Sequence, residues 1–341
     1  MSRFDDSRLD SQDTLGEDSL RRLAGAGARI RTAMIAEPVG SPDFGRPRGV
    51  IALGAEARLI RAVLEPVCPV PFVAWPAEGL PNWVGPLDLV VLLDGRGDDR
   101  SLLGSATEAV RRGAMLLVVT PRHSDLAEAS ASRSTLLLPA QTSDATAGAV
   151  VALVYLHRLG LGPLVDAGHV ADAADRVAEA CSPLRDLSTN PAKEMALTMA
   201  DELPLIWGET VLAARASRRI AEAIRAVSGR SALAVDADDL LPLLAGLERR
   251  NTFADPFDDP AESGYPALIV LEDSRSPAVV RHTQIDLTAQ AAGLGLRVHT
   301  ISAGEADAPG TDVDRYVTLL QHGLYGAAYL GIGLGRCSAE D

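Results

Sequence analysis

Short, continuously apolar runs alternate along this chain with amphipathic stretches of about a dozen residues. Gly49-Val-Ile-Ala-Leu-Gly54 is the first clear run, closed by glycine at both ends. Leu87-Asp-Leu-Val-Val-Leu-Leu93, Ala114–Thr120 and Thr135–Leu138 follow it. A run without period-two alternation predicts a strand covered on both faces. Val70–Trp75 reads as a further short strand. Between the runs, residues 56–64, 101–112, 124–130 and 142–159 read as helices, the last ended by Gly160 and Gly162. Strand–helix alternation of this kind predicts a parallel sheet with right-handed crossovers.

Upstream, residues 1–14 read as polar and irregular. Residues 15–36 read as one amphipathic helix with Leu20, Leu23, Ile30 and Met34 near helical spacing, and Pro38–Pro47 as a loop. Downstream, the rhythm repeats. Leu205-Ile-Trp207 is apolar and Gly208 breaks it. Residues 210–227 read as helix, 231–236 as strand or more helix, and 251–264 as a loop rich in Asp and Pro. Ala267-Leu-Ile-Val-Leu271 is a strong strand, 278–292 a helix, 296–301 a strand and 312–330 a long final helix. The expected fold class is α/β, with two tandem domains, each a mainly parallel sheet flanked by helices. The expected organisation is a polar segment over 1–19, a domain over 20–162, a helical connection over 163–203 and a second domain over 204–341.

Composition narrows the partners. Of 341 residues, 47% are hydrophobic and only 4% aromatic, so Leu, Val, Ile and Ala must fill the cores. The formal charge of −14 argues against a nucleic-acid backbone or an anionic membrane surface, both of which need a basic face. A small phosphorylated ligand stays open, because helix N-termini can hold a phosphate on an acidic protein. Cys68, Cys181 and Cys337 are far apart and form no CxxC or Cys/His cluster, which predicts reduced structural thiols and no metal site. Met1–Gly16 is polar, and no run approaches the roughly 20 apolar residues of a membrane helix, so a cytoplasmic location is expected. No GxGxxG, GxxxxGKS or GxSxG motif occurs, and no cofactor is expected.

Ligands of doubly wound sheets sit outside the carboxyl ends of the strands. Four turns qualify. Gly54-Ala55-Glu56-Ala57 could present backbone N–H groups to an anion, yet Glu56 brings a negative charge to the same place; an ordinary βα turn explains it as well. Asp94-Gly95-Arg96-Gly97-Asp98-Asp99 is the most unusual loop, with Arg96 as a ligand contact or the whole as a solvated, Asp-capped turn. Thr120-Pro-Arg122-His123 offers two cationic side chains or a plain surface loop. Glu272-Asp-Ser-Arg275 is followed two turns later by His282, an acid/base candidate or a surface histidine. His322 reads the same way, and Asp236, Asp238 and Asp239 read as helix-capping residues.

The order of the Gly54 turn, the 87–120 segment and Leu138-Pro139 before a long apolar helix resembles the sugar isomerase (SIS) domain. Asn190-Pro-Ala-Lys193, Leu203-Pro-Leu-Ile-Trp-Gly208 and Ala213-Ala-Arg-Ala-Ser-Arg-Arg219 are similar to the bifunctional phosphoglucose/phosphomannose isomerases of bacteria and archaea. The resemblance covers roughly residues 20–335. It implies two tandem SIS domains, a homodimer, a sugar phosphate as ligand and aldose–ketose isomerisation. It also implies site residues this chain lacks. Gly-Gly-Ser in the first turn is here Gly54-Ala55-Glu56, and the Ser/Thr-rich phosphate loop is Asp94-Gly95-Arg96-Gly97. An arginine after Leu-Pro is replaced within Gln141–Asp144. The catalytic Glu falls near Ala226, the catalytic His near Arg250-Asn251, and a late lysine has no counterpart.

Three functions follow. One is a sugar-phosphate-binding, isomerase-like protein without the family's catalytic residues, acting in carbohydrate metabolism, or a non-enzymatic regulator or scaffold. Another is an active glucose/mannose 6-phosphate isomerase using non-standard residues, with His282 and Arg250 as catalytic candidates. The last is different chemistry in the same cleft, carried by Asp94, Arg96, His123 or His282.

Overall fold

The structure, a computed structural model, describes residues 4–10, 16–249, 265–275, 278–304 and 310–336, with the backbone alone at 278–280. In chain order its first elements are α1 (Glu17–Ala24), α2 (Ala26–Ala33), β1 (Gly49–Gly54), α3 (Ala57–Leu64), β2 (Phe72–Ala74), β3 (Asp88–Leu93), α4 (Arg100–Arg112), β4 (Met115–Thr120), α5 (Asp125–Ala129), β5 (Thr135–Pro139) and α6 (Ala145–Arg158). There follow α7 (Ala167–Ala180), α8 (Pro191–Met199), β6 (Leu203–Trp207), α9 (Val211–Ser228), β7 (Leu233–Val235), α10 (Ala237–Ala245), β8 (Pro266–Glu272), α11 (Ala278–Gly293), β9 (Arg297–Ser302) and α12 (Asp312–Gly333). The chain divides into two compact units. One holds residues 26–172 with 310–313; the other holds 1–25, 173–309 and 314–341.

The unit of residues 26–172 is built on a five-stranded parallel sheet, ordered β2-β1-β3-β4-β5. Its central strands are apolar throughout because both faces are covered. On one face Ile51, Leu53, Val90, Leu92, Leu116 and Val118 pack against Leu102, Ala106 and Ala109 of α4 and Leu126 of α5. On the other, α3 lies on β1 and α6 on β3 and β4. Each Leu or Val so buried contributes about 1.5–3 kcal/mol, which is how few aromatics suffice. The helices start and stop where side chains satisfy their ends. Asp99 accepts the N–H groups of Ser101 and Leu102 to open α4, and Gly113, with φ near +71°, closes it.

The other unit repeats the design with four parallel strands, ordered β7-β6-β8-β9. Leu205, Trp207, Leu268 and Val270 pack against Leu240 and Leu244 of α10 and Leu287 and Ala291 of α11. The edge strand β9 alternates between exposed and buried positions, as a strand with one open side does.

The α/β class and the parallel strand order agree with the sequence reading. Two local expectations do not hold. The single helix expected over 15–36 is two helices, which part at Gly25, where ψ is near +5° and the backbone leaves the helical range. The irregular segment expected over 1–14 contains a 3₁₀ turn at Asp6–Leu9 that buries Leu9. The helix-capping reading of Asp236 agrees with α10, whose N-terminus it caps through the Asp239 N–H at 3.0 Å. The loop expected over 251–264 lies outside the described residues.

Candidate functional site

Strand order places the crevice of each sheet. In the order 2-1-3-4-5 the connections depart in opposite directions on either side of β1 and β3, so the ends of those two strands border the switch point. The two turns singled out from the sequence, at Gly54 and Asp94, follow these strands.

Gly54 has φ near +113°, and a Cβ there would stand 2.1 Å from the Leu93 carbonyl oxygen. Only glycine lets β1 turn against the end of β3 at that distance. Ala55 is exposed, whereas Glu56 is 2% exposed and its carbonyl accepts the Leu59 and Ile60 N–H groups that begin α3. The Glu56 carboxylate is therefore part of the wall beneath the turn.

The loop after β3 is organised around one side chain. Asp94 Oδ1 accepts the Arg96 N–H at 2.9 Å, and Oδ2 accepts the Asp99 N–H at 3.0 Å. Gly97, with φ near +81°, is pressed so close to the next turn that a Cβ would meet Ser124 Cβ at 2.3 Å. Gly95 is half-buried, and Arg96 is exposed. Its guanidinium has no hydrogen-bond or ion-pair partner among the described residues. Thr120 is buried and bonds Ser124 across 3.0 Å, while Arg122 and His123 are exposed. Beyond β5, Asp144 caps α6 through the Ala147 N–H at 3.0 Å and pairs with Arg29 at 2.6 Å. The N–H groups of Arg96 and Asp99 in this crevice are thus held by the Asp94 carboxylate, and that of Ala147 by Asp144.

The second sheet has its switch point between β6 and β8. Asp273, 5% exposed, stands just past β8. Its Oδ1 accepts the Arg275 N–H at 3.2 Å and Arg315 Nε at 2.8 Å, and its Oδ2 accepts the Thr210 hydroxyl at 3.0 Å. Thr210 in turn caps α9 through the Ala213 N–H. Glu209 precedes that cap. Burial pushes its carboxyl above the ordinary range, and its Oε2 is buried with no hydrogen-bond partner among the described residues.

Sequence reading missed Glu209 and the Asp273–Arg315 pair. The signal was present: Trp207-Gly208-Glu209 repeats the strand, glycine and carboxylate of Leu53-Gly54-Ala55-Glu56. Of the two catalytic candidates, His282 lies on α11, 79% exposed, with its Nε2 3.7 Å from Asp286. Arg250 lies outside the described residues. His322 donates Nδ1–H to the Thr318 carbonyl at 3.0 Å, and burial holds its pKa below the ordinary histidine value. Cys181 is buried, which raises its thiol to about 12 and leaves it a poor nucleophile. Among the described residues no group of three His, Cys, Asp or Glu side chains could hold a metal ion, and no helix is long and apolar enough to cross a membrane.

No family model and no curated protein sequence matches the chain. Solved structures do. The C-terminal domain of glucosamine-fructose-6-phosphate aminotransferase from Francisella tularensis is 13% identical, with a TM-score of 0.64 over 94% of this chain and 97% of that one. Tagatose-6-phosphate ketose/aldose isomerase from Escherichia coli is 15% identical, with a TM-score of 0.62 over 92% and 87%. Glucosamine-6-phosphate deaminase from Thermotoga maritima is 10% identical, with a TM-score of 0.56 over 91% and 93%. At such identities the likeness shows the fold, and the fold is the one the SIS resemblance implies.

Proposed function

We propose that this chain is a divergent relative of the bifunctional phosphoglucose/phosphomannose isomerases that binds a sugar phosphate without isomerising it. The observation that carries this reading is the Asp94 carboxylate on the N–H groups of Arg96 and Asp99. A phosphate needs free donors, and it is repelled by a carboxylate already bound to them. Sugar hydroxyls are donors, for which Asp94 keeps unused lone pairs. The sugar then sits over Asp94 at the crevice, and its phosphate lies at the rim against the unpartnered Arg96. The position of the family's catalytic glutamate is held by Ala226, which supports binding without movement of the C1/C2 proton. We expect the protein to work in the cytoplasm as a homodimer.

A second reading rests on Glu209. Burial raises its carboxyl and it stands at the second switch point, which supports a proton-transfer role there.

Calorimetric titration with glucose, mannose and fructose 6-phosphates, beside a coupled isomerase assay, separates the two. Binding that weakens about tenfold in Arg96→Ala, with no turnover, supports the first reading. Turnover that vanishes in Glu209→Gln and survives in Asp94→Asn supports the second. Absence of binding by all three overturns the first.

A further inference from the structure

The single lysine of the chain, Lys193, has no part in either crevice. It lies in the first turn of α8 and is 0% exposed. Burying an ammonium is costly unless it is paired and all its donors are met. Here Nζ reaches Asp10 Oδ1 at 2.7 Å, the Arg185 carbonyl at 2.9 Å and the Pro183 carbonyl at 3.2 Å. It stands 5.7 Å from the centre of the Tyr329 ring. Asn190 fixes the carbonyl side of this cage, capping α8 with its Oδ1 and donating its Nδ2 to the Ser182 carbonyl at 2.9 Å. The cation and its two carbonyls are therefore held by α8 and by the preceding segment that Asn190 ties to it.

The counter-ion is placed differently. The Asp10 side chain is 59% exposed, against 0% for Lys193. It directly follows the 3₁₀ turn of Asp6–Leu9, which is anchored by buried Leu9 and by the Asp5 N–H on the Gly333 carbonyl at 2.9 Å. Asp10 also lines a cleft of about 640 Å³, whose other walls include Leu9, Leu20, Arg185, Tyr329 and Ile332. That volume lies within the range of small-molecule sites, and the mixture of apolar wall and a few polar groups is their usual lining. A fixed, fully buried cation thus meets its one carboxylate partner among the described residues from the open side of a ligand-sized cleft.

We propose that this cleft is a ligand site for a small organic anion with an apolar or ring body, whose phosphate or carboxylate takes the place of Asp10 on Lys193. Asp10 is the tethered occupant of the anion position when the cleft is empty. The apolar body lies against Leu9, Leu20 and Ile332. This site is independent of the reading given for the strand-end turns.

One lysine makes the test direct, because lysine labelled with ¹⁵N at Nζ gives a single side-chain resonance. Phenyl phosphate and acetate are titrated at constant ionic strength into the full-length protein and into Asp10→Asn. The expected result is a saturable shift of the Nζ resonance with phenyl phosphate in the natural protein. The half-saturation concentration falls at least tenfold in Asp10→Asn, where the tethered competitor is gone. An Nζ resonance unmoved by both anions in the natural protein overturns the proposal, whatever Asp10→Asn does. Should Asp10→Asn fail to fold, the titration of the natural protein decides alone.

Discussion

Asp94 and Asp273 close the same turn in the two sheets: each stands just past the strand that borders the switch point, and each accepts through Oδ1 the N–H of an arginine two positions on. The repeat is one of chemistry as well as topology, since Asp94-Gly-Arg96 and Asp273-Ser-Arg275 share the spacing. The two carboxylates differ in their remaining partners. Asp94 takes a second loop N–H, from Asp99, and Asp273 takes the Arg315 guanidinium and the Thr210 hydroxyl. One turn is thereby closed upon itself, and the other is tied to helices α9 and α12.

Gly54→Ala should destabilise the protein by about 2 kcal/mol or more. The new Cβ would sit 2.1 Å from the Leu93 carbonyl, in a backbone conformation that costs a non-glycine residue about 1–3 kcal/mol before any overlap. Urea unfolding checks this, with an unchanged slope and a lower midpoint expected.

His299 and His322 should make stability fall in acid. Burial lowers both, and the His322 charge lowers His299 further, against the opposing effect of Glu194. The unfolded chain then takes up protons near 6.5 that the folded chain refuses, so stability is full above that pH and declines below it. Replacing His299 with Leu should flatten the urea midpoint measured between pH 7.5 and 5.

Glu209 titrates in the opposite sense. Its carboxyl is raised by desolvation, so the folded protein holds a proton that the unfolded chain has lost. The stabilising effect is present below the ordinary Glu value and disappears as pH rises through the folded one. Glu209→Gln should therefore be more stable than the natural protein at neutral pH, with the difference shrinking toward pH 4.5. A pair of urea curves at the two pH values measures it.

Much of this architecture is legible in the sequence for a simple reason. A parallel strand covered on both faces has no polar position to disguise it, so Val50–Leu53, Leu89–Leu93 and Leu268–Leu271 stand out. Gly54, Gly97 and Asp99 mark turns because only particular residues fit there. The split of the N-terminal helix at Gly25 was not legible, because Leu23 and Ile30, seven positions apart, keep helical spacing across the break. Nor was the role of Asp94: a sequence shows a carboxylate in a loop, but which N–H groups it reaches depends on how that loop folds back. Lys193 and Asp10 are 183 positions apart, and only the tertiary fold brings them together.

The central claim is that the Asp94 carboxylate holds the donors a phosphate would need, and calorimetric titration with inorganic phosphate tests it most directly. Asp94→Ser removes the charge and frees the N–H groups of Arg96 and Asp99. The account predicts at least tenfold tighter phosphate binding in Asp94→Ser than in the natural protein, about 1.4 kcal/mol or more. Tight phosphate binding by the natural protein that Asp94→Ser weakens would contradict it.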